Sequence, residues 1–309
     1  MGKYIVRRLL QMIPVIIGAT FLLYVMVFAL PGAPWQSRCG ERACSPGYIA
    51  AFKAEYNLDK PLIVQYLLYL GKLLHGDLGT NFYNNRVIDE LATRYPTTLK
   101  LALIAIVFEI VIGILAGVLA GINKGRFIDS LVTVATLVVI SIPVFIIGST
   151  AQWSILEFKL TNVIPVTAAQ GSWGQLVLPG LVLGSLSVAY AARLTRTNLV
   201  ENLRADYVRT AKAKGLGPVR VIGLHTLRNS LIPVITFIGY DFGSLMGGAI
   251  VTERIFNIPG IGSFIFRSIS QKDGVSVVGA VTVLVLVFLI ANLLVDILYG
   301  LLDPRISHE

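Results

Sequence analysis

Few residues in this chain could do chemistry, and they are of three kinds. Carboxylates stand inside long uncharged runs at Glu109, Asp241 and Asp296. A basic run from Arg193 to Arg228 holds eight Lys or Arg against two acids, with hydrophobic sequence on each side. Two cysteines, Cys39 and Cys44, enclose Gly-Glu-Arg-Ala. An ionisable group in an apolar run is costly, so it faces a partner or a cavity. Asp296 falls on roughly one helical face with Asn292, Tyr299 and Asp303. Paired with an arginine such as Arg193 or Arg196 it is structural; otherwise it is a proton-relay group. Asp241 lies among Gly239, Gly243, Ser244 and Gly247, where an aqueous cavity is the natural home for its charge. That small-residue face lines a translocation path or makes a helix contact. Glu109 has no partner evident in the sequence. The cysteines are a disulfide in an oxidising compartment or two free thiols, and the loop they would close is short.

What is missing narrows the chemistry. A phosphate-binding glycine loop needs an upstream glycine and a following hydroxyl, and Gly71-Lys72 has neither. There is no Ser/His/Asp or zinc-protease pattern and no His/Cys cluster at zinc spacing. His225 suits packing or hydrogen bonding better than ligation. The expectation is a chain with no catalytic residues, no metal and no cofactor of its own. The net charge of +9 invites a nucleic-acid reading, but the bases sit at the ends of apolar runs, where membrane topology accounts for them.

The elements that must position these residues are membrane spans. Charged residues make up 14% of the chain against about a quarter in soluble proteins, and mean hydropathy is +0.75. Six apolar runs are long enough to cross a bilayer: 9–30, 98–122, 128–155 (with Pro143 inside), 174–192, 231–251 and 275–302. The first is too long for a signal-peptide core and reads as an uncleaved helix. Fourteen Lys or Arg fall on the side of the N-terminus and four in the two short loops opposite, so both termini are expected in the cytoplasm. Residues 31–96 are polar, with seven bases and six acids. Within them, 48–74 reads as two short amphipathic runs broken at Asp59-Lys60-Pro61, lying at the outer interface. The organisation expected is a cytoplasmic N-terminal segment and first helix (1–30), an extracytoplasmic loop subdomain (31–96), a core of helices two to six (97–302) with a cytoplasmic loop at 193–230, and a cytoplasmic tail (303–309). Gly113, Gly117 and Gly121 recur every fourth residue in the second span and read as a close helix-packing face.

The basic run carries a recognisable pattern. Ala205-Asp-Tyr-Val-Arg-Thr-Ala-Lys-Ala-Lys-Gly-Leu216 resembles the "EAA" loop of permease subunits of ATP-binding-cassette (ABC) importers, in the form used by the dipeptide/oligopeptide/nickel group. Arg209-Thr210-Ala211 stands for the triplet, and Gly215 for the glycine that follows after three intervening residues. The general pattern continues with I-x-L-P; here His225-Thr-Leu-Arg228 stands instead and the proline comes late, at Pro233, as in the peptide-importer variant. Other segments resemble the same family in the same order. They are the opening Arg7-Arg8-Leu9-Leu10 with Leu30-Pro31-Gly32, Gly76-Asp-Leu-Gly79, Tyr95-Pro-Thr-Thr-Leu99, Ile142-Pro-Val-Phe145, Ala192-Arg-Leu-Thr-Arg196, Glu253-Arg-Ile-Phe-Asn-Ile-Pro-Gly260 and Leu302-Asp-Pro-Arg305.

The resemblance implies the type I ABC importer permease fold: all-α, integral to the bacterial or archaeal inner membrane. It implies a second homologous permease, two cytoplasmic ATPase subunits (or one fused pair) that carry ATP and Mg, an extracytoplasmic substrate-binding protein and lipid as partners, and no nucleic acid. The loop would form a coupling helix seated on an ATPase. Its residues are Asp206, Tyr207, Val208, Arg209, Thr210, Ala211, Lys212, Ala213, Lys214, Gly215 and Leu216. Tyr207, Val208 and Ala211 are expected on one face; Gly215 closes the helix in a left-handed cap and Pro218 opens the next. The substrate implied is a di- or oligopeptide, with nickel chelates or haem within the family's range. A proton-coupled secondary transporter is the rival from another class, which scattered acids fit poorly.

Overall fold

Apolar runs of Leu, Ile, Val and Ala satisfy their backbone polar groups internally only as helices when water is excluded, and helices are what form. The computed structural model describes residues 2–29, 35, 39 and 43–302, excluding the side-chain surroundings of 2–4, 247, 248 and 298–302. The calls on Gly247, on the Tyr299–Asp303 part of the Asp296 face and on the 303–309 tail lie outside those described residues. In chain order the helices are α1 (Gly2–Phe28), α2 (Pro46–Glu55), α3 (Leu62–Leu74), α4 (Val87–Ile122), α5 (Phe127–Ser141), α6 (Val144–Glu157), α7 (Trp173–Asn202), α8 (Asp206–Ala213), α9 (Pro218–Ser230), α10 (Ile232–Gly248), α11 (Ile250–Ile255), α12 (Ile261–Ser270) and α13 (Gly274–Leu302). Among the described residues, β-pairing is limited to an isolated bridge between Thr80 and Arg86.

Among the described residues, four stretches are single helices long and apolar enough to cross a membrane: Ile5–Phe28, Val87–Ile122, Trp173–Asn202 and Gly274–Ile297. Two further stretches pass only as bent pairs. The run 128–155, expected as one span, breaks into α5 and α6 at an angle of 101°. The reason is local: a residue before proline is driven out of the helical region, and Ile142 is extended (φ −100°, ψ 124°) ahead of Pro143. Helices α9 and α10 meet more gently, at 48°.

Helix α7 is the axis. Over half of its apolar window is buried (56%) against 11% for α1, whose Leu10, Leu22 and Met26 are left exposed as a lipid-facing helix requires. Packing against α7 is close because Gly113, Gly117 and Gly121 of α4 face it. A Cβ at Gly113 would lie 2.9 Å from Ala191 Cβ, and one at Gly117 2.5 Å from the Ala192 carbonyl. From the other side, Gly184 of α7 sits under the Ala105 carbonyl, which a Cβ would meet at 2.9 Å. The glycine face of α4 is thus an intrachain packing face. Helix α13 covers α10 and α1 on the far side.

The 48–74 stretch forms two helices, α2 and α3, separated by the turn that ends at Pro61. Ser45 caps α2 by accepting from the Tyr48 amide, with Pro46 in the first turn. Tyrosines fasten α3 to the spanning helices. The Tyr66 hydroxyl donates to the Ile17 carbonyl at 2.9 Å and shares a proton contact with Thr20, and the Tyr69 hydroxyl meets Thr282 of α13 at 2.9 Å. Cys39 and Cys44 are joined as a disulfide, their Cα atoms 5.3 Å apart.

If α4–α7 packing sets the fold, Gly117→Ala should destabilise it by roughly 1–3 kcal/mol through overpacking. Gly18→Ala, in open space on α1, should be near neutral. Thermal unfolding of the two purified variants checks this, and equal midpoints would contradict it.

Candidate docking and transport site

The basic loop folds as a short capped helix. Ala205 is extended (φ −66°, ψ 152°) and starts α8; Gly215 ends it in the left-handed region at φ +77°. The Gly215 amide donates to the Lys212 carbonyl and the Leu216 amide to the Ala211 carbonyl, the paired bonds of a Schellman cap. Leu216 then packs against Val208, Ala211 and Val221. Pro218 opens α9, which loosens into a π turn over Val221–Thr226 around the half-buried His225. Asn198 of α7 anchors the far end of α9, its carbonyl accepting from the Ser230 hydroxyl at 3.4 Å.

The expected common face of Tyr207, Val208 and Ala211 is corrected by this packing. Val208 and Ala211 are buried against the chain's own Val221, while Tyr207 is 39% exposed and donates its hydroxyl to Asn202 at 2.7 Å. A helix of only eight residues has to anchor itself before it can anchor anything else, and its two apolar positions are used for that. Asp206, Arg209, Thr210, Lys212, Ala213 and Lys214 are left exposed. Arg209 makes only an exposed contact to Asp206, at 3.4 Å.

Beside this loop, Arg196 of α7 forms a two-pronged ion pair with Asp129 at the start of α5; its Nη2 lies 2.8 Å from Oδ2. The Gly125 amide also donates to Asp129, at 2.8 Å. Asp296 pairs with neither Arg193 nor Arg196, contrary to expectation: its partner is Arg8 of α1, at 3.3 Å. Sequence distance hid that contact, because α1 and α13 are the first and last helices.

Midway along the spans the two remaining acids come together. Glu109 sits in a π turn of α4 (Glu109–Gly113), fully buried, with neither carboxyl oxygen in a hydrogen bond. Asp241 of α10 is its charged neighbour, and Ser187 of α7 is the other polar group beside Asp241. The acids read as scattered, with Glu109 unpartnered, are therefore one pair. Asp241 and Ser244 line a cavity of about 340 Å³ between α6, α7 and α10. Gly239 and Gly243 turn the other way, onto Val295 and Asn292 of α13. The small-residue face thus divides between a helix contact and a cavity wall.

At the opposite end from α8, three segments far apart in sequence meet. The wholly buried Glu253 of α11 accepts from the Thr98 hydroxyl of α4 at 2.7 Å and from the Ser263 amide at 2.8 Å. The Ile261 amide in turn donates to Thr98 Oγ1 at 2.9 Å, so a carboxylate and a hydroxyl together cap the N-terminus of α12. Gly262 passes so close to Ile250 that a Cβ would lie 2.6 Å from its Cα. Glu253 and Thr98 belong to two of the quoted motifs, but nothing in the sequence said that they touch. Burial pushes the Glu253 carboxyl up to about 7, while the Thr98 hydroxyl and the Ser263 and Gly262 amides hold it down.

Comparison with known proteins now bears on this arrangement. Residues 113–308 match the family described as "Binding-protein-dependent transport system inner membrane component", and residues 1–102 match the N-terminal family of the same membrane components. The chain belongs to this family of inner-membrane transport components. Among its relatives are the "Di/tripeptide transport system permease protein DppB" of Pseudomonas aeruginosa, 38% identical, and the "Dipeptide transport system permease protein DppB" of Escherichia coli, 36% identical. The "Glutathione transport system permease protein GsiC" of Salmonella typhimurium is 35% identical. In each case 100% of both chains is covered. In this inner-membrane component, then, α8, the Glu109–Asp241 pair and the Glu253 cap occupy three levels of one helical body.

The Glu253 cap makes a pH prediction. Its carboxyl titrates higher folded than unfolded, so the folded state binds the proton more tightly. The stability it contributes is complete below about pH 4.5 and is lost as pH rises through about 7, by on the order of 3 kcal/mol. The thermal midpoint of the purified protein should fall between about pH 5 and about pH 8, and Glu253→Gln should flatten that slope. A variant with the same slope as the parent would assign the pH dependence elsewhere.

Proposed function

We propose that this chain is one of two membrane subunits of an ABC importer and that it moves di- or oligopeptides inward by alternating access. ATP and Mg act on separate ATPase subunits; this subunit performs no catalysis and contributes a path and a lever. The observation that carries the reading is α8. It is a self-capped, solvent-facing helix whose sequence follows the permease pattern, joined through α9 to the α10 wall that holds Asp241. The full-length similarity to two dipeptide permeases supports a peptide substrate, and similarity to a glutathione permease keeps it among short peptides. Nickel chelates and haem lack such support among these relatives.

In this reading the bent pairs α5–α6 and α9–α10 each count as one crossing, making six with the four long helices. Both termini, the 193–230 loop and the 303–309 tail face the cytoplasm. Residues 31–96, with α2, α3 and the Cys39–Cys44 disulfide, face the other side and help receive the substrate-binding protein. The core is 97–302. Exposed Arg209, Lys212 and Lys214 meet acids on an ATPase subunit, Thr210 and Ala213 allow close approach, and buried Val208 and Ala211 hold the helix in shape. Closing of the ATPases then moves α8, and α9 passes that movement to the spans.

Ala213→Trp tests the docking. Ala213 is exposed, so the larger side chain should leave the fold intact yet abolish co-purification of the ATPase subunits and ATP-driven peptide uptake in vesicles. Unchanged co-purification would remove α8 from the contact. Peptide uptake by the chain without any ATPase, driven by a proton gradient, would overturn the importer reading itself.

A further inference from the structure

We propose that Asp241, with Glu109 behind it, takes the ammonium group of a peptide in the cavity between α6, α7 and α10. The inference rests on the peptide-import reading and adds a recognition site to it. At about 340 Å³ the cavity has room for roughly ten waters at about 30 Å³ each, or for an amino-terminal residue in their place. Asp241 and Ser187 line its polar side; Tyr190 and Phe237 line its aromatic side, their ring centroids 6.3 Å apart. Behind Asp241, Glu109 is fully buried with both oxygens unpartnered, and Asp241 Oδ2 is buried and unpartnered too.

Glu109 and Asp241 act on each other electrostatically, and two adjacent carboxylates repel, so a cation arriving beside Asp241 relieves that cost. Among the described residues the two acids have no counter-ion. Arg196 is committed to Asp129, Arg8 to Asp296 and Arg94 to Glu90, and no cation among the described residues acts on either acid. A carboxylate without a counter-ion, lining a cavity together with two aromatic side chains, is suited to a primary ammonium: the acid attracts it and the rings add cation–π contact.

The test uses the whole complex in vesicles, with second permease, ATPase subunits and binding protein, and dialanine as the probe. Asp241→Asn keeps the shape and loses the charge; Asp241→Glu keeps the charge and changes the shape. Initial ATP-driven uptake should fall about tenfold in the Asn variant and recover in large part in the Glu variant. A packing role gives the reverse order. Uptake at the parental rate in Asp241→Asn, or equal loss in both, overturns the proposal. Assembly is checked by co-purification. If Asp241→Glu does not assemble, Tyr190→Leu against Tyr190→Phe carries the test, with Leu expected to lose more uptake and equal rates overturning the site. If the parental complex imports no dialanine, the peptide reading fails and the site falls with it; if the parent imports and the variants match it, the site alone fails.

Discussion

Close approach of α4 and α7 is the contact on which the rest of the molecule depends. In a bilayer, lipid tails are as apolar as leucine, so helices gain little from hiding apolar surface and associate where their backbones pack tightly. Gly113, Gly117 and Gly121 on one side and Gly180 and Gly184 on the other provide that fit, and a methyl group at Gly117 would collide with the α7 backbone. The pair becomes a rigid strut. What α7 carries is held at defined heights along it: Ser187 and Tyr190 at the cavity, Arg196 on Asp129, and Asn198 on Ser230 at the base of α9.

Polar groups are distributed along this strut by cost. The half-exposed pair of Arg8 and Asp296 is the sort of contact that contributes little. Arg196 and Asp129 are better shielded and two-pronged, and they fix α5 to α7 next to the loop that ends in α8. At the opposite end Glu253 is buried and is supported directly by a hydroxyl and an amide, tying α4, α11 and α12 into one cap. Both ends are thus fastened by specific bonds. Between them α5 and α6 break at Pro143, by 101°, and α9 and α10 bend by 48°.

At mid-level, by contrast, Glu109 is buried with neither carboxyl oxygen in a hydrogen bond. Glu109 needed a π turn to be placed: the extra backbone residue in that turn shifts the register of α4 just before its glycine face begins, so the acid points at α10 and the glycines still meet α7. Packing and polarity are reconciled in that one turn.

Much of this was legible in the sequence. Composition and run length identified a helical membrane protein, and the spacing from Tyr207 to Gly215 and Pro218 specified a short capped helix followed by another. Every one of those inferences concerns neighbours along the chain, where bond geometry and hydrogen-bond reach are set by residue type. The tertiary structure alone decided which residues meet across helices: Glu109 with Asp241, Arg8 with Asp296, Arg196 with Asp129, Thr98 with Glu253. It also turned Val208 and Ala211 inward and split the glycine face of α10 between a helix and a cavity. Residue periodicity tells which positions share a face, but not what that face meets, because the partner is chosen by the packing of the entire bundle.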